Sequence, residues 1–331
     1  MAESHSKPFS PSDLPIDPDG RIYHLQVKPE QIAQDILIVG DPGRARFIAK
    51  NFFNEISFEH EHRGLVTITG TTQVPREADP SLSPMQVSVV TSGMGTPSLE
   101  IVTNELVALH EINFAARTRK EAFPRLQIIR VGTSGGLQAT TPLGTPIITT
   151  YGIGMDNAGL FYEAPYPDET CRRLEAEIAQ LLQKSMPESS RFFGKLQPYV
   201  SKANEIIVDA LAEAAQRMEI KTKLGLTVSC PGFSAAQGRD INRIKPSLMD
   251  LDLVFSEFNP SIGSQQIENM EMEAAFLLHY MGGIGHRAGA ICTAIANRRE
   301  NTIDVHYQES IANTTRVALL ALAIAKNKAQ Q

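Results

Sequence analysis

The chain has 331 residues, with 31 Lys plus Arg against 37 Asp plus Glu, and so carries a formal net charge of −6. A mildly acidic chain without a Lys/Arg-rich block has no electrostatic footprint for nucleic acid, and its three scattered cysteines, Cys171, Cys230 and Cys292, form neither a disulfide framework nor a zinc-ligand spacing. No apolar run approaches the roughly 20 residues of a membrane span, and the first residues lack the apolar core of a signal peptide, so a cytoplasmic protein in a reducing compartment is expected.

Residues 1–20 are rich in Pro, Ser and Asp and read as a loose tail before one domain over 21–331. Ile36-Leu37-Ile38-Val39 reads as a strand that ends at Gly40-Asp41-Pro42-Gly43-Arg44, with a short helix at Arg46–Ala49. A second strand, 86–90, ends at Ser92-Gly93-Met94-Gly95-Thr96-Pro97. Residues 98–110 then place Ile101, Val102, Leu106 and Leu109 on one helical face. Strands follow at 126–131 and 146–150, helices at 168–183 and 203–218, and buried strands at 224–228 and 288–295. Met270 to Leu278 and Ser310 to Lys326 read as helices, and 72–84 and 113–125 as surface insertions. Strands alternating with helices predict an α/β layered fold around a largely buried sheet.

The run Ile128-Ile129-Arg130-Val131-Gly132-Thr133-Ser134-Gly135-Gly136 stands out. It reads as a buried strand breaking into a tight turn whose amides and hydroxyls face an anion. An arginine buried there is costly unless something negative arrives. Each of the first three strands ends in a Gly-rich turn, the place where open α/β sheets bind ligands. None completes the G-x-G-x-x-G fingerprint, which argues against a dinucleotide. Arg44 and Arg130 sit on or beside these turns, and a guanidinium fork matches phosphate oxygens. Thr133 adds a hydroxyl, and the amides near Gly40 and Thr133 add fixed donors.

Gly40-Asp41-Pro42-Gly43-Arg44, Ser92-Gly93-Met94-Gly95, Arg130-Val131-Gly132-Thr133-Ser134-Gly135 and Met270-Glu271-Met272-Glu273, in this order, resemble the nucleoside phosphorylase-I family over roughly residues 21–327. Phe233-Ser234-Ala235-Ala236-Gln237-Gly238-Arg239 resembles the Phe-x-x-x-Gln-x-Arg segment of the uridine phosphorylase branch. Purine phosphorylases place a Ser-Asp where this chain has Ile295-Ala296-Asn297-Arg298.

The resemblance implies a single-domain three-layer α/β/α sandwich around a mixed, partly barrel-like sheet, in an oligomer built from dimers with shared active sites. It implies uridine and inorganic phosphate as substrates, and no cofactor or metal. His60, His62 and His286 are read as ordinary histidines. Phosphate would be held by Gly40, Arg44, Arg130 and Thr133, with Arg63 lent by a neighbouring subunit. The ribose would meet His24 of the neighbour, Met272, Glu273 and Glu271. The base would meet Phe233, Gln237, Arg239 and Ile295. Arg130, Thr133 and Glu273 are the residues expected to carry catalysis. The alternatives are a purine phosphorylase, a methylthioadenosine-type nucleosidase, and a non-catalytic nucleoside-binding relative.

Overall fold

The strand β1 (Asp35–Val39) shows how the layers are made: Leu37 and Val39 point into one apolar core, Ile36 and Ile38 into another. Alternation of this kind buries both faces of a strand, so helices must cover the sheet on both sides. The computed structural model describes residues 7–328. After β1 come α1 (Pro42–Phe52), β2 (Glu55–His62), β3 (Leu65–Thr72), α2 (Val74–Ala78), β4 (Met85–Thr91) and α3 (Thr96–Glu111). A small hairpin, β5 (Ile112–Asn113) and β6 (Thr118–Arg119), leads to β7 (Gln127–Gly136) and β8 (Pro146–Gly154). Then follow α4 (Glu169–Ser185), β9 (Tyr199–Lys202), α5 (Glu205–Arg217), β10 (Lys223–Ser229) and α6 (Leu251–Glu257). The chain closes with β11 (Ile267–Glu271), α7 (Ala274–Gly283), β12 (Arg287–Asn297), β13 (Thr302–Ile303) and α8 (Gln308–Lys328).

The main sheet runs β13-β12-β8-β10-β11-β7-β1-β4-β3-β2, and β12 also pairs with β7. That extra pairing closes β7, β12, β8, β10 and β11 into a ring, and β1 to β4 extend from it as an open wing. The expected mixed, partly barrel-like sheet is therefore present. Helices α1, α5 and α8 share one core, α3 and α7 a second, and α4 and α6 a third.

Four local expectations are corrected. First, β7 does not turn at Gly132 but continues to Gly136, parallel to β12 and, at its end, antiparallel to β11. Gly132 allows close approach rather than a bend: a Cβ there would lie 2.8 Å from Cys292 Sγ and 3.2 Å from Arg130 Nη2. Second, Met270 and Glu271 end a strand, and the helix begins only at Ala274. Third, the segment 7–20, expected to be loose, is fastened down. Leu14 is buried, Ile16 bridges Ile22, and Arg117 in the 113–125 insertion donates to the carbonyls of Phe9, Ser10 and Leu14; residues 1–6 lie outside the described part. Fourth, the 72–84 segment is anchored, because Val74 and Leu82 join the core beside α8.

Candidate active site

A cleft of about 480 Å³ opens where the C-terminal ends of β1 and β4 meet those of β10, β11 and β12. β1 delivers Gly40 and Asp41 to it. Asp41 caps α1 by accepting from the amides of Gly43 and Arg44, each at 3.0 Å, and Pro42 opens the helix where no amide is needed. The cap fixes the first turn and with it Arg44, whose Nη1 donates to the Val131 carbonyl at 3.3 Å. Among the described residues no carboxylate ion-pairs with Arg44. Burial, and after it the nearby Arg130, lowers its pKa from the ordinary arginine value. A cation held in this way favours the arrival of an anion.

Arg130 is 4 % exposed and clamped by two carboxylates. Its Nε donates to Glu271 Oε2 at 2.8 Å and its Nη2 to Glu273 Oε2. Burial opposes the charge, but Glu273 and Glu271 outweigh it and hold the guanidinium pKa above its usual value. The remaining nitrogen, Nη1, is buried without a hydrogen-bond partner. An unpaired buried donor costs about 1–3 kcal/mol, so the site is incomplete until an acceptor binds. Gly40, Thr133, Ser134 and Gly135 line the same part of the cleft.

The two glutamates have different roles. Glu271 accepts from Ser229 Oγ, from Arg130 Nε and from the amides of Glu273 and Ala274 at 2.9–3.0 Å. Its oxygens are engaged by the start of α7, by Ser229 and by Arg130, and it lines the cleft together with Glu273. Glu273 accepts from the Gly95 amide and from Arg130. Burial, chiefly, and the neighbouring Glu271 raise its pKa. The Thr96 hydroxyl donates to the Met272 carbonyl at 3.2 Å, which joins the Ser92–Gly95 turn to this edge. Met272 and Glu273 both line the cleft.

At the other end stand Phe233, Gln237, Arg239, Ile295, Ala296 and Ile303. The Arg239 guanidinium lies 3.8 Å from the centre of the Phe233 ring, and its Nη1 donates to Gln237 Oε1 at 2.8 Å. That bond orients the buried Gln237 amide. Its Nε2 has only a long 3.5 Å contact to the Glu271 carbonyl and stays available to a ligand. The carboxylates lining the cleft are Asp41, Glu271 and Glu273, all at the anion end. Asn297 does not reach the cleft. Its amide donates to the Gln138 and Thr141 carbonyls, both at 2.9 Å, and accepts from the Arg299 and Glu300 amides.

His24 and Arg63 are not brought to this cleft. Arg63 lies in the β2–β3 turn with His24 beside it, and there Arg63 donates to the Tyr23 hydroxyl at 2.9 Å and packs over its ring. Glu105 holds His24 by its Nδ1 at 2.7 Å and by its backbone amide at 2.8 Å, which leaves Nε2 for another partner. His60 and His62 lie on β2, and His286 Nε2 lies 3.1 Å from Glu111. Sequence reasoning did not single out Met94 or Ile303 as site residues. Met94 is inside a motif already noted, whereas Ile303 reaches the cleft only because β13 folds back on Ala296 and nothing in its sequence signals that.

The model of the phosphorylase superfamily matches residues 34–327, and the chain belongs to this superfamily. It is 28% identical over 297 residues to a uridine phosphorylase of Thermococcus kodakarensis, covering 88% of this chain and 83% of that one. A DeoD-type purine nucleoside phosphorylase of Listeria welshimeri is 33% identical, but over only 125 residues, 38% of this chain and 44% of the relative. Among solved structures, a Trypanosoma brucei nucleoside phosphorylase described as showing uridine phosphorylase activity superposes with a TM-score of 0.81 at 24% identity, covering 94% of this chain and 99% of that one. A structure from a study of two Phytophthora capsici uridine phosphorylases gives 0.66 at 19% identity, covering 95% and 98%. At these identities the structural likeness speaks for the fold.

Proposed function

We propose that the cleft carries out the reversible phosphorolysis of uridine, giving uracil and ribose 1-phosphate, with inorganic phosphate as co-substrate and no cofactor. The observation that carries this reading is the buried, unpartnered Arg130 Nη1 beside Arg44, at the far end of one cleft from the Gln237–Arg239 pair. The likeness along most of its length to a relative named uridine phosphorylase supports it.

In this reading Arg130 Nη1, Arg44, the Thr133 hydroxyl and the Gly40 amide hold phosphate below the sugar. Glu273 accepts from the ribose hydroxyls and Met272 packs on the ring. The C1′–N1 bond breaks as a phosphate oxygen bonds to C1′, and its electron pair leaves with the base. The sugar passes through a cation-like state, as in glycoside hydrolysis, which the phosphate stabilises electrostatically. Gln237 and Arg239 meet the charge on the uracil oxygens, Phe233 and Ile295 pack on the base, and water later supplies the proton. The molecule acts as a homodimer or larger homo-oligomer in the cytoplasm, each subunit lending His24 and Arg63 to its neighbour, and 21–331 forms the catalytic domain. The purine alternative is disfavoured because, among the described residues, no carboxylate lines the base end of the cleft. An absorbance assay with uridine, thymidine, inosine and methylthioadenosine, with and without phosphate, tests the reading. Phosphate-dependent loss of uridine is expected; turnover of inosine alone, or turnover without phosphate, overturns it.

A further inference from the structure

Behind the base-reading pair lie a further arginine and a single carboxylate, neither of which lines the cleft. Arg298 follows β12 directly. Its Nε donates to Asp252 Oδ2 at 3.0 Å and its Nη2 to the Gly238 carbonyl at 3.4 Å. Asp252, in the first turn of α6, sets its other oxygen against Gly238, where a Cβ would stand 2.3 Å from Oδ1 and 3.0 Å from the Asp252 backbone nitrogen. Gly238 has φ +75°, so both its conformation and the space beside it exclude a side chain. It is also the peptide link between Gln237 and Arg239. Three segments, the base-reading turn, α6 and the end of β12, thus converge on one carboxylate.

The charges require such an anchor. Arg239 is pushed below the usual arginine value by burial and then by Arg298, and Asp252 acts in the opposite direction. Without the carboxylate, two guanidinium groups would face each other uncompensated. Arg239 is the one of the two tied only within its own turn: its contacts are the Gln237 amide and the carbonyl and ring of Phe233, and Phe233 is exposed. It would be the one to move, and Gln237 Oε1 would lose its donor.

We infer that Asp252 is a positioning residue for base recognition: through Arg298 and Gly238 it holds Gln237 and Arg239 in their reading geometry without touching the nucleoside. This rests on the uridine reading above. The test is steady-state kinetics of wild type, Asp252→Asn, Asp252→Glu and the double variant Asp252→Asn/Arg298→Gln, with thermal melting to establish folding.

Asp252→Asn is expected to raise the nucleoside KM about tenfold, the loss of one charge-assisted contact, and to leave the phosphate KM within about twofold. Asp252→Glu retains the charge and should stay nearer wild type, and it serves as the test if the Asn variant fails to fold. The double variant should bind nucleoside about as well as Asp252→Asn, because Asp252 acts through Arg298 and its bond to Gly238; independent structural contributions predict that it binds worse. An unchanged nucleoside KM in the folded Asn variant, equal rises in both KM values, a Glu variant no better than Asn, or a double variant weaker than the single one overturns the inference. Absence of uridine turnover in the wild type would overturn the functional reading instead.

Discussion

At the residue scale, Arg130 and its two carboxylates concentrate most of the chemistry. The side chain is held at Nε and Nη2 and left open at Nη1, so its position is fixed before any ligand arrives. Arg130→Ala should lower kcat/KM for phosphate by about a thousandfold or more, the range for a lost electrostatic stabiliser. Because the substitution also leaves Glu271 and Glu273 without their cation, melting should drop by a few degrees while circular dichroism stays native; near-normal phosphorolysis would contradict the assignment. Glu273 leads to a pH prediction. Its carboxyl is raised from the ordinary value and must be ionised to accept from ribose hydroxyls. Activity is therefore present above that raised pKa and lost as pH falls through it. The acid limb of the nucleoside kcat/KM should lie above the ~4.3 of an unperturbed glutamate. In Glu273→Gln, measured at the same phosphate concentration, that limb should disappear along with most of the activity.

At the element scale, β7 is where sequence and structure part most instructively. A Gly132→Ala substitution would press a methyl group against Cys292 and the Arg130 guanidinium. Overpacking of this kind costs about 1–3 kcal/mol, and here the displaced group is the proposed phosphate ligand, so activity should fall further than melting temperature does. The end of β12 makes a different point. Asn297 donates to two carbonyls and accepts from two amides, so a carboxylate would face two oxygens with nothing to donate. Asn297→Asp should therefore cost about 2–3 kcal/mol in denaturant titration and gain no activity on inosine; such a gain would show that the turn can open.

Much of this was legible in advance. β1, β4, β10 and β12 show in their apolar runs, and α3, α4, α5 and α8 in their helical period. Arg44, Arg130 and the Phe233–Arg239 segment, which line one cleft, show in their motifs. Other features were not legible, for physical reasons. Glycines 132, 135 and 136 look like a turn unless a second strand is known to run alongside. The strand β2 offers only Ile56 and Phe58 before two histidines, too short an apolar alternation to reveal it. Ser229 binds the Glu271 carboxylate across the sheet from a segment far away in sequence, so the saturation of Glu271 exists only after folding.

At the scale of the whole molecule, one chain contains the anion and base ends of a cleft, while His24 and Arg63 are held elsewhere on its surface. If subunits exchange those residues, inactive variants should complement one another. Mixing Arg63→Ala with Arg130→Ala subunits, unfolded and refolded together, should restore about a quarter of wild-type activity. Half of randomly paired dimers are mixed, and each mixed dimer has one intact site of two. Mixtures that stay at the sum of their parents would place Arg63 outside the site.

The outer margin of the wing limits how such a neighbour can approach. β2 ends the sheet, and its sequence Glu55-Ile56-Ser57-Phe58-Glu59-His60-Glu61-His62 alternates in charge and is exposed or half-exposed throughout. Arg46 from α1 ties down Glu61 and lies 4.0 Å from Glu59. A row of carboxylates along an open strand discourages backbone-to-backbone addition. A second copy laid edge to edge would set its own glutamates against these, which disfavours extending the wing into a continuous intermolecular ribbon. The proposed exchange of His24 and Arg63 would instead run through side chains at and beside the β2–β3 turn, away from this acidic margin and from fibre-like stacking.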